Sequence, residues 1–258
     1  MKLGYYLLAL IVLLVFPGFS GCGGKPQNED GYKAAIIDQL YLRQPNPGFI
    51  EEATSLLKSA GFEVDIWQGN EITVDFYRDL PSMGYRFIVL RVHSGTLLEI
   101  KDGQTVEMPD TYLFTAEDYT TASHVTDQLT DKVSYAVMED NIPAVFAVSS
   151  RFIEDAKGAF NKTVVLSMGC ESYRHDDLLQ AFIAKGASVY IGWSDLVSLE
   201  HVDKVTLDLL KNYCTAGMGI SPGISQTMAT FGRDPYFNSY LKFYPESNAA
   251  KTIQELTK

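Results

Sequence analysis

Two short apolar runs each deliver a reactive side chain at their carboxyl end. Residues 86–92, RFIVLRV, lead straight into His93-Ser94-Gly95, and residues 163–168, TVVLSM, lead into Gly169-Cys170. Bounded apolar runs of this length read as buried strands of a parallel sheet. An open parallel sheet places ligands and chemistry beyond the carboxyl ends of its strands. A cysteine there is commonly a small buried hydrophobe, and a histidine a hydrogen-bonded structural residue. As a pair they supply a base and a thiol that the base can activate, the parts of a nucleophilic mechanism.

Other motifs in the chain lead nowhere. Gly219-Ile220-Ser221-Pro222-Gly223 spells the elbow of serine hydrolases, yet Pro222 has no N–H for an oxyanion hole and no strong strand precedes it. His175-Asp176-Asp177 and His201-Val202-Asp203 contain metal-ligand residue types. The chain has only four histidines, with no paired spacing, so no metal site is expected. No glycine-rich loop joins a strand to a helix, so neither nucleotide nor other cofactor is implied. The net charge of −11 and the lack of any basic run exclude nucleic acid as a partner.

The elements that must position the pair alternate along the chain. The 258 residues, 46% apolar and 21% charged, suffice for one sizeable α/β domain. Strands are expected at 33–40, 62–67, 86–92, 144–148, 163–168 and 188–192, with a last one within 236–243. Helices are expected at 49–60, 74–80, 149–159, 176–185, 198–213 and 225–232, with Gly61 and Gly186 ending two of them. Strand and helix in alternation imply right-handed crossovers and a mostly parallel sheet. After Gly95 the pattern changes: 96–100 and 105–108 read as a β-hairpin on Asp102-Gly103, with 112–115 as a possible third strand, while 120–140 gives no clear pattern. The insertion spans about 96–143 of a domain covering 32–258.

The amino terminus reads as an export signal. Met1-Lys2 precedes an apolar run from Leu7 to Phe16, which closes with Phe19-Ser20-Gly21 before Cys22. The pattern resembles a lipoprotein signal, in which residues 1–21 are removed and Cys22 carries the lipid. Residues 22–31 then form a polar tether, and the protein sits anchored on the outer face of the cell membrane. The bland alternative is an uncleaved amino-terminal helix. Two cysteines remain for the domain, too few for a disulfide framework, although a single Cys170–Cys214 bridge stays open and would exclude a nucleophilic Cys170.

The blocks VLRVHSG, ending in Ser94-Gly95, and VVLSMGCES, around Cys170, resemble the two signatures of the caspase-like cysteine peptidases, the second being most similar to the CHAT branch. GASVYIGW, ending at Trp193, resembles the segment that follows the cysteine helix there. The resemblance implies a three-layer α/β/α sandwich with a mostly parallel sheet and an inserted β-hairpin after the third strand. It implies a cysteine endopeptidase acting on a peptide or protein substrate, with His93 as general base and Cys170 as nucleophile. Backbone N–H groups at Ser94, Gly95 and Cys170 would be the oxyanion donors. Ser94 stands where the family usually has Gly. Asp195, Glu171 and Trp193 are candidate substrate-binding residues. Asp195 equally suits a cap for the helix near Ser198, and Glu171 a favourable first-turn charge. A domain that keeps the fold as a binding or scaffold protein is the alternative to an enzyme. A flavodoxin-like sheet, which would separate His93 from Cys170, is a third.

Overall fold

The computed structural model describes residues 32–138 and 142–258. The expected leader (1–21), Cys22 and the whole of the tether (22–31) lie outside them. No helix among the described residues is long and apolar enough to cross a membrane.

Five strands form the parallel part of the main sheet: β1 (Lys33–Asp38), β2 (Glu63–Gln68), β3 (Tyr85–Arg91), and further along the chain Thr163–Ser167 and Ala187–Trp193. Counting every strand in chain order, the last two are β8 and β9. A short final strand, β10 (Leu241–Tyr244), adds antiparallel to β9, which gives the order β10-β9-β8-β3-β1-β2. The expected mixed α/β fold with a mostly parallel sheet is therefore found.

Period-two alternation sends successive strand residues to opposite faces, and here both faces are apolar. Ile36, Val89, Leu166 and Ile191 enter one core; it is covered by α1 (Pro47–Ser59), a helix at Leu199–Cys214, one at Ile220–Phe231 and a terminal turn at Ile253–Thr257. Ile37, Leu90, Val165 and Tyr190 enter the other, beneath α2 (Val74–Asp79), a helix at Ser150–Asp155 and one at Asp177–Ala184. With a short α3 (Val125–Leu129) between them, the later helices are α4 (150–155), α5 (177–184), α6 (199–214), α7 (220–231) and α8 (253–257). Caps fix several helix starts. The side chain of Asn46 accepts from the Phe49 N–H ahead of α1, and Thr252 and Glu255 close a reciprocal box ahead of α8, contacts of about 1 kcal/mol each.

The inserted region is larger than a hairpin. β4 (Ser94–Lys101), β5 (Gln104–Asp118), β6 (Val133–Ala136) and β7 (Val145–Ser149) make a second, antiparallel sheet in the order β4-β5-β7-β6. Segments expected as two separate strands, 105–108 and 112–115, are one strand of 15 residues. Its register slips opposite the stretch between Thr96 and Leu98, beside Pro109, where a residue that cannot donate to the ladder does least harm. The strand expected at 144–148 belongs to this sheet. Leu113, Val133, Phe146 and Val148 pack from it into the same core as Leu90 and Val165.

Candidate active site

β3 and β8 are neighbours, paired in parallel with Leu90 opposite Ser167, and Met168 donates its N–H to the Leu90 carbonyl at 2.9 Å. His93 and Cys170 each lie three residues beyond that pair, so one register brings both to the carboxyl edge of the sheet. They line a common pocket of about 170 Å3.

His93 is held by its backbone. Its N–H donates to Gln39 Oε1 at 3.0 Å, and its carbonyl accepts from the Phe114 N–H at 2.9 Å. Gln39 is itself fixed, since its Nε2 donates to the Thr115 carbonyl at 3.1 Å. The His93 ring sits 6.0 Å from the Phe114 ring, centroid to centroid.

Cys170 sits in a turn stitched to neighbours on three sides. The Ser94 hydroxyl donates to its carbonyl at 2.5 Å. Glu171 and Tyr173 donate their N–H groups to the carbonyls of Asp195 and Trp193, at 3.0 and 2.8 Å. Trp193 donates its own N–H to the Ser172 hydroxyl at 3.0 Å. Glu171 adopts a φ of 56°, a left-handed conformation that a non-glycine residue takes up only when its surroundings impose it. Its carboxylate accepts from the N–H and the hydroxyl of Thr96, at 3.0 and 3.2 Å, which ties the turn to β4.

Burial pushes the Cys170 thiol above the ordinary range. A backbone contact with Val197 works the other way, and the carboxylates of Glu171, Asp234 and Asp195 add to the rise. The Val197 N–H points at Sγ from 3.4 Å, and the thiol faces the Val197 carbonyl at 3.5 Å. Cys170 and Cys214 are both free, so the bridge left open by the sequence does not form.

The remaining expected residues divide. Ser94 and Gly95 stand inside β4, paired with Leu113 and Tyr112, and not in a free turn. Asp195 lies outside the residues that line the His93–Cys170 pocket. Arg174 Nη1 holds its Oδ1 at 2.9 Å, and the same oxygen accepts from the Leu196 N–H. It does not cap α6; Asp234 Oδ2 instead accepts from the N–H and hydroxyl of Ser198, at 2.8 and 2.6 Å. Glu171 precedes α5 by a full turn of chain and so is not a first-turn charge. The Trp193 side chain is wholly buried in the core, which removes it from contact with a bound molecule.

Sequence reasoning missed the charged floor of the site. Arg91 is 1% exposed. Its Nε and Nη2 donate to Asp203 at 3.0 and 3.1 Å, its Nη1 to Asp38 at 2.7 Å, and its Nη2 also to the Gln44 carbonyl at 3.0 Å. Burial raises the Asp38 pKa, with Arg91 opposing. The signal was present: an arginine inside a strand apolar on both faces must find buried acids. No family model matches the chain, and no curated protein sequence is significantly similar to it.

Proposed function

We propose that the chain is an exported, membrane-tethered cysteine endopeptidase of caspase-like type. The observation that carries this reading is the meeting of His93 and Cys170 at equivalent points past adjacent parallel strands, on one pocket wall. A main sheet in the order β2-β1-β3-β8-β9-β10, antiparallel only at its last strand and covered by helices on both faces, supports it. In the reaction, His93 takes the thiol proton as the sulfur forms its bond to the peptide carbonyl carbon. The proton then passes to the departing amine as the C–N bond breaks, and water releases the acyl group from sulfur. Burial that raises the Cys170 thiol pKa, with the sulfur facing Val197, favours a second reading, a binding domain that keeps the scaffold without the chemistry. The lipid would be carried by Cys22, and intact-mass analysis of membrane-derived protein checks it.

The test is a double-mutant cycle on cleavage of a broad peptide library. Cys170→Ala, His93→Ala and the double variant should all fall to a similar residue of activity, on the order of a thousandfold or more below wild type, because either loss disables the nucleophile. Full activity in Cys170→Ala would end the peptidase reading. A well-folded wild type that cleaves nothing would favour the binding domain.

A further inference from the structure

The pocket that receives the side chain before the scissile bond selects an aliphatic residue, not a charged one: we infer this from its walls and from the pairing of the charge beneath it. The inference rests on the peptidase reading above. Leu40, Val92, Met168, Val197, Leu199 and Val202 line the pocket beside Cys170, with Gln44 as a polar neighbour among them, in a volume of about 170 Å3. Of the apolar residues all but Leu199 are buried, so the surface on offer is the apolar ends of packed side chains.

One charged residue, Arg91, lines this pocket. A lysine or arginine entering would find the carboxylates of Asp203 and Asp38 already paired with Arg91. An aspartate or glutamate would find the Arg91 charge already engaged by Asp203 through two contacts, and by Asp38 through a third. Either ion would shed its hydration without a free counter-charge to receive it, a cost that apolar walls do not return. The acid best placed in sequence to attract a basic residue, Asp195, is held by Arg174. An aliphatic side chain has no such cost and gains by leaving water.

Peptidyl acyloxymethyl ketones that differ only in the residue before the warhead test this on the wild-type protein, with labelling of Cys170 followed by peptide mapping. Leucine, methionine or valine probes should label at least roughly tenfold faster than lysine, arginine or aspartate probes, the scale on which apolar pockets discriminate. A faster basic or acidic probe overturns the inference and leaves the peptidase reading standing. Labelling by no peptide probe, with iodoacetamide still reaching Cys170, overturns both. A second variant changes the sign of the wall. Leu199→Glu places an acid at the first position of α6, where a helix N-terminus favours it. That variant should shift preference toward lysine and arginine probes by about tenfold, and an unchanged aliphatic preference would show that this pocket is not the one being read.

Discussion

Gly169 separates the last apolar residue of its run from Cys170, and its lack of a side chain is a steric requirement. A Cβ there would lie 2.1 Å from Ser94 Oγ and 2.8 Å from the Val92 carbonyl oxygen. The first neighbour is a side chain that Ser94→Ala would remove; the second is backbone at the end of β3 and cannot retreat. Gly169→Ala should therefore destabilise the fold by about 1–3 kcal/mol, as overpacking does, and Ser94→Ala should return only part of that loss. Urea midpoints of the two single variants and the double check this; a Gly169→Ala protein as stable as wild type would refute the packing. At this scale the placement of His93 and Cys170 past neighbouring strand ends was legible, because such residue types directly after apolar runs stand out. Gln39 and Val197 were not, because they act through contacts with backbone or sulfur that only the tertiary structure brings together.

Between elements, the strongest polar tie joins β1, β3 and α6 through Asp38, Arg91 and Asp203. Arg91→Met keeps the length of the side chain but leaves two buried carboxylates without their cation. It should cost about 3–5 kcal/mol, as removal of one partner from a buried pair does. The pH dependence follows from Asp38. Its pKa is raised on folding, so the folded chain holds a proton that the unfolded chain has released. That contribution is full below the ordinary aspartate value and is lost as pH rises through the raised one. Asp38→Asn should flatten the fall in stability above about pH 4, seen as urea midpoints that no longer decline there; an unchanged slope would place the titration elsewhere. The central strands were readable because burial on both faces writes a continuous apolar run. The second sheet was not, since β6 is four residues long and β5 runs through Pro109. The start of α7 was hidden by Pro222, which the first turn of a helix accepts without loss because its N–H would be unpaired anyway.

For the domain as a whole, the two sheets share one hydrophobic interior, with Leu113 and Phe146 of the second packed among Leu90, Val165 and Tyr190 of the first. Neither sheet can lose its partner without exposing that interior, so they should unfold together. Trp67 in β2 and Trp193 in β9 report on the main sheet by fluorescence, and Tyr112 and Tyr135 on the second by near-ultraviolet dichroism after comparison with Phe variants. Coincident urea transitions are expected; two separated transitions would mean independent folding units. Acidic overall charge was legible from composition. The joining of the sheets was not, because it depends on which face of a short strand turns inward. The parallel register of β3 and β8 has a further consequence for how the site ages under mutation. Both reactive residues hang from the same rung of the ladder by arms of equal length, so bending or twisting of the sheet carries them as one body. Changes elsewhere in the chain can alter what reaches the pair long before they move the two apart.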